Sequence, residues 1–221
     1  MADLPFNLPK PLARRLRAAA DAEGKIVRAL DALGPLDGRD VALLDVPDGS
    51  LRTSLLATGL HAHDVTACDP LRLDLADGSV DAVVALWQGF EGVRPADLAE
   101  ADRVLRAGGR LLVVHDYGRD EVSALADPAA PQYREWSQRG GPFLRGGGFK
   151  IRVLHCFWTF ASIEDGQDFL GETFGERGRT VGAAMKRPRL SWNVAVYHRW
   201  RGGVAPEGAA DDEGGGEAGP R

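Results

Sequence analysis

The chain has only two cysteines, Cys68 and Cys156, in 221 residues. At this length a folded chain buries roughly 70% of the surface its unfolded form exposes, so its stability requires neither disulfides nor a metal. No run approaches the eighteen or so apolar residues of a membrane span, and Met1 to Lys10 has no apolar stretch of the signal-peptide kind. A reducing cytoplasm is therefore the expected location. There is no G-x-G-x-x-G and no G-x-x-x-x-G-K-[ST], which argues against a dinucleotide reductase and a Walker nucleotidase. His61 and His63 flank one residue beside Asp64, but no cysteine or second carboxylate joins them at zinc-like spacing, so no metal is expected.

What is present reads as one soluble globular domain: 44% hydrophobic and 27% charged residues. The net charge of −5 hides a division. Residues 1 to 132 carry 14 Lys/Arg against 21 Asp/Glu, while residues 133 to 201 carry 12 against 6 and hold 12 of the 16 aromatic residues. That asymmetry hints at an anionic partner, although aromatics filling a core beneath solvated arginines account for it more simply. Residues 202 to 221 are acidic and glycine-rich with almost nothing to bury, and are expected to be a disordered tail.

Leu12, Leu16, Ala19, Ala20, Ile26, Val27, Leu30 and Leu33 fall at helical spacing, predicting one amphipathic helix over residues 12 to 33, in an N-terminal unit of residues 1 to 36 packed on the domain. From residue 37 to 201 the pattern becomes strand, helix, strand. Strands are predicted at Val41 to Leu44, Asp64 to Cys68, Ala82 to Leu86, Arg110 to His115, Lys150 to Phe160 and Leu190 to Trp200. Helices are predicted at Leu51 to Ala57, Ala96 to Leu105 with Gly108-Gly109 as its stop, Arg119 to Leu125, and Ile163 to Phe174 behind the capping box Ser162 to Asp165. In the last strand Leu190, Trp192, Val194 and Val196 point one way, while Ser191, Asn193 and Tyr197 point to a wetter side. The fold class is therefore α/β, a doubly wound and mostly parallel sheet of six or seven strands with helices on both faces.

Three segments carry a family resemblance. Val41-Ala-Leu-Leu-Asp-Val-Pro-Asp-Gly-Ser50 is a strand ending in an acidic and glycine-containing turn. Asp77-Gly-Ser-Val-Asp81 precedes the strand Ala82 to Leu86, and Leu98 to His115 is a helix, a double glycine and an apolar strand. Together they resemble the class I S-adenosylmethionine-dependent methyltransferases, of the type 11-like kind, from about residue 37 to 200. The resemblance implies a Rossmann-like sheet with an antiparallel last strand, S-adenosylmethionine as cofactor, and methyl transfer to a small-molecule acceptor. It also implies that Asp45, Pro47, Gly49 and Ser50 form the cofactor corner after the first strand. Asp69, which lies 20 residues after Gly49, supplies the carboxylate for the ribose, and Leu86 and Trp87 close the third strand beside the ligand. Two of the family's turn glycines are Pro47 and Leu51 here, which motivates an alternative: a non-catalytic module that has lost the cofactor. Only 36 residues separate Asp45 from Asp81, so one strand-helix unit is missing, and Asp69 ends either the second or the third family strand.

In an open α/β sheet ligands sit beyond the carboxyl ends of the strands. The expected acceptor pocket therefore comprises Trp87, Gln88, His115, Tyr117 and the loop 128 to 149, with His115 or Tyr117 as general base. An aromatic or anionic small molecule is the expected partner. Nucleic-acid binding through residues 133 to 201 is a third, weaker reading, and no membrane partner is expected.

Overall fold

The computed structural model describes residues 4–87, 90, 94–126, 136 and 138–204. Six strands form one sheet: β1 (Asp40–Leu44), β2 (His61–Val65), β3 (Val80–Leu86), β4 (Leu105–Asp116), β5 (Lys150–Thr159) and β6 (Arg189–Trp200). Their order is β2-β1-β3-β4-β6-β5, and only β6 runs against the others. The apolar runs Val41 to Leu44 and Val83 to Leu86 are buried on both faces, as a central parallel strand requires.

One face is covered by α1 (Lys10–Ala19), α2 (Lys25–Leu33), α3 (Ser50–Leu56) and α6 (Ile163–Ala183). The other is covered by α4 (Pro95–Val104), the one-turn α5 (Pro142–Arg145) and residues 71 to 75. Side chains of β4 and β6 alternate between the two cores: Leu112, Val114, Val194 and Val196 join the first, and Leu111, Val113, Ala195 and Tyr197 the second. No described helix is long and apolar enough to cross a membrane, and no metal-binding cluster occurs among the described residues.

Several boundaries differ from the sequence reading. The expected single helix over 12 to 33 is two, because Asp21 turns the chain at φ +50° and its carboxylate accepts the N–H groups of Lys25 (2.9 Å) and Ile26 (2.8 Å), capping α2. The break also lets Ala20 bridge to Trp158 on β5. Gly108 and Gly109 lie inside β4 rather than ending α4. A side chain at Gly109 would meet the carbonyl of Asp81 at 3.0 Å, so glycine there permits close approach of two backbones. Residues 122 to 125 form a 3-10 turn instead of a helix. α6 runs on to Ala183, but folds back at Gly175 (φ +59°), and Gln167 donates to the Gly182 carbonyl across the resulting hairpin. Tyr197 is fully buried, stacked 4.2 Å from Phe143, because α5 covers the side expected to be wet.

The sheet also answers the register question. β2 pairs directly with β1, so Asp69 follows the second strand, and among the described residues no further strand lies beyond β2. Instead, the polar face of α4 clasps the extended segment 69 to 77. Asp97 and Glu100 accept from the backbone N–H groups of Leu71 and Leu73, while Arg103 donates to the carbonyls of Leu73 and Leu75 and to Asp77. Residues spaced three apart on one helix thus satisfy the backbone groups of alternate residues, as a neighbouring strand would. Contact with Arg103 holds the Glu100 carboxyl at about 2, well below its ordinary value.

A candidate ligand site at the carboxyl ends of β1 and β3

β1 delivers the chain into a corner that Asp45 builds. Its backbone sits at φ +50°, a region that Asp tolerates better than most residues, its N–H donates to the Val65 carbonyl (2.9 Å), and its carboxylate accepts from Ala67 (3.1 Å). The corner after β1 is thereby tied to the corner after β2. Gly49 then leads into α3, which Arg52 fastens to β2 through both oxygens of Asp64. Ser50 donates to the Arg17 carbonyl of α1 at 3.3 Å. Leu51, one of the two bulky replacements, packs against the first core and lines a cavity beneath the N-terminal helices.

Trp87 follows β3 at φ +37°, with its N–H donating to the Val114 carbonyl at 2.7 Å. Strained backbone at two non-glycine residues on the tops of neighbouring strands is a common mark of a ligand site. The Trp87 indole turns to the first face and stacks on Trp192 of β6, with centroids 5.6 Å apart and planes 11° off parallel. Both indoles donate to Oδ1 of Asp116, at 3.2 Å from Trp87 and 2.9 Å from Trp192. Asp116 is half-buried as a residue, but its carboxyl is turned inward between the indoles, and this burial pushes it up to about 7.

Between this floor and the N-terminal helices the cavity measures 230 Å³. Arg17, Asp21, Ser50 and Leu51 line it together with the two indoles, Trp87 and Trp192. The cavity therefore lies between the start of α3 and the end of β3; of the four expected corner residues Ser50 lines it, and Asp45, Pro47 and Gly49 do not.

The other expected residues lie elsewhere. Asp69 is exposed beyond β2 and ion-paired to Arg94. Leu86 is fully buried and shows the site no side chain. His115 is on the opposite face from the cavity, completely buried, edge-on to Trp136 at 4.7 Å, and bonded through Nε2 to the Phe90 carbonyl (2.8 Å). Desolvation pulls its imidazole down to about 4. Tyr117 packs on that same face. A general-base role at this cavity for either residue does not follow from the geometry, because consecutive strand residues face apart and β4 turns His115 away where it turns Asp116 inward. Gln88 lies outside the described residues, as do residues 128 to 135 and 137 of the expected pocket loop and 205 to 221 of the expected tail. The sequence reading missed the pairing of Asp116 with Trp192. Its only trace was the inward phase of Trp192 in the alternation of β6.

No family model and no curated protein matches the chain. Among solved structures, it is similar to a candidate type II methyltransferase from Anaeromyxobacter dehalogenans. The match has 17% identity and a TM-score of 0.51, and covers 79% of this chain and 94% of that one. It is also similar to a candidate methyltransferase from an antibiotic biosynthesis pathway of Anabaena variabilis (14% identity, TM-score 0.47, covering 82% and 98%). A third is a geranyl diphosphate methyltransferase in complex with S-adenosylmethionine (14%, TM-score 0.43, covering 82% and 85%). The first of these shows the shared fold.

Proposed function

We propose that the chain, whose fold is that of the class I S-adenosylmethionine-dependent methyltransferases, transfers a methyl group from S-adenosylmethionine to a small-molecule acceptor. The observation that carries this reading is the cavity between the start of α3 and the end of β3, on the side of the sheet where open α/β folds hold their ligands. Its 230 Å³ falls short of the roughly 300–1,000 Å³ of clefts that enclose drug-sized ligands, yet exceeds the roughly 150 Å³ that takes up benzene. A ligand of about ten heavy atoms fits; a whole nucleoside with its amino acid does not. The cavity therefore suits the acceptor, and the cofactor would extend over the corner of Asp45, Pro47, Gly49 and Ser50 towards Asp69.

The residues fit that arrangement. Pro47 offers the corner no N–H, but Leu51 is drawn down into the core, and Asp69 stands exposed with Arg94 on one oxygen. When bound, S-adenosylmethionine supplies an already electrophilic methyl group. The chain's own contribution is to orient the acceptor on the indole floor and to keep water away, through the cover of α1 and α2.

Titration calorimetry with S-adenosylmethionine tests the reading. Cofactor at a hundred times its dissociation constant is expected to stabilise the fold by about 2.7 kcal/mol, and Asp69→Ala to weaken binding. Labelled methyl is expected to appear in a small-molecule fraction. No heat and no thermal shift at millimolar cofactor would end it.

A further inference from the structure

Asp116 joins the ends of three strands through one atom. Its Oδ1 accepts from Trp87 after β3 and from Trp192 on β6, while its own backbone closes β4. Neither indole exposes more than 1% of its surface, so both rings are held by the surrounding core as well as by this oxygen. Among the described residues no arginine, lysine or histidine forms an ion pair with the carboxyl. Asp120, in the loop after β4, is the like charge that acts on it. Arg17 and Asp21 stand across the cavity, β6 presents the neutral Trp192 and Asn193, and His115 faces the other core.

We propose that Asp116 is a positioning residue: it locks the paired indoles in place, so the cavity's hold on an aromatic ligand depends on whether this carboxyl is charged. The proposal rests on reading the cavity as the acceptor pocket. An ionised oxygen makes charge-assisted bonds to both N–H groups and fixes the floor firmly, whereas a protonated carboxyl holds them more weakly and lets the floor yield beneath the ligand. The raised proton affinity of this carboxyl puts the change near neutrality.

The full chain, labelled with nitrogen-15, reports this directly through its five tryptophan indole signals. Trp87→Phe and Trp192→Phe assign two of them. Those two are expected to move together between about pH 5.5 and about 8.5, with a shared midpoint, and to stay still in Asp116→Asn, which keeps an acceptor oxygen but cannot ionise. Calorimetry with indole, uncharged across this range, is expected to show binding roughly three- to tenfold tighter at the upper end in the native chain and equal at both ends in Asp116→Asn. Absence of a shared titration overturns the proposal, as does its persistence in Asp116→Asn or a failure of indole to bind at either pH. Indole binding that follows Asp116 in a protein that takes up no S-adenosylmethionine would count against methyl transfer and leave this proposal standing.

Discussion

His115 and Asp116 are neighbours on β4 whose proton affinities are displaced in opposite directions, and their effects on stability oppose each other. Asp116 is raised to about 7, so through the mildly acidic range the folded chain keeps a proton that the unfolded chain has released. Its contribution therefore falls as pH rises, by about 1.4 kcal/mol per pH unit. His115 is lowered to about 4, so over the same range the unfolded chain carries a proton that the folded chain refuses, and its contribution rises with pH at about the same slope. Between about pH 4.5 and about 6.5 the two cancel, and the native chain is expected to show a flat profile. Asp116→Asn removes one member and exposes a gain of about 2–3 kcal/mol over those two pH units. His115→Gln, which retains a donor for the Phe90 carbonyl, exposes a loss of similar size. Urea unfolding followed by tryptophan fluorescence at half-unit pH steps measures all three. A profile for Asp116→Asn that runs parallel to the native one refutes the reasoning.

Three further outcomes are expected. Glu100→Ala leaves the buried Leu73 N–H unpaired and Arg103 without its main partner, costing about 2–4 kcal/mol in urea unfolding at pH 7. Because the Glu100 carboxyl is depressed to about 2, its contribution is complete above its ordinary range near 4.5 and disappears as pH falls towards 2, so the native chain loses stability there and Glu100→Gln loses less. Gly178→Ala puts a methyl group into the Leu170 carbonyl across the α6 hairpin and is expected to lower stability by about 1–3 kcal/mol, read as a drop in Tm. Ser54→Phe, from an exposed position at the cavity wall, is expected to abolish indole binding while leaving Tm within a few degrees, whereas unchanged indole affinity places the ligand elsewhere.

The sheet was largely legible because its signals are local. Apolar runs marked β1 and β3, alternation marked β6, and the shortage of residues between Asp45 and Asp81 announced a missing unit. The break in the N-terminal helix was missed: Asp21 stands three residues before Gly24, but apolar periodicity on either side concealed it. The site was half legible. Ser50 and Trp87 sit at strand ends that the chain order exposes, whereas Asp116 and Trp192 are 76 residues apart and meet only through the pairing of β4 with β6. His115 and Tyr117 were the expected bases after β4, yet strand phase turns both to the second core and turns Asp116, between them, towards the indoles.

The clasp of α4 on residues 69 to 77 has a further consequence. Elsewhere in the sheet, neighbours are joined by amides that every amino acid carries, so almost any replacement preserves the join. Along this margin the join is made by four particular side chains, Arg94, Asp97, Glu100 and Arg103, and two of them carry most of the burden because Asp97 and Glu100 are buried. The border next to Asp69 is thus a stretch of the platform that single substitutions can unfasten. Its rungs are side-chain carboxylates and guanidinium groups rather than peptide groups.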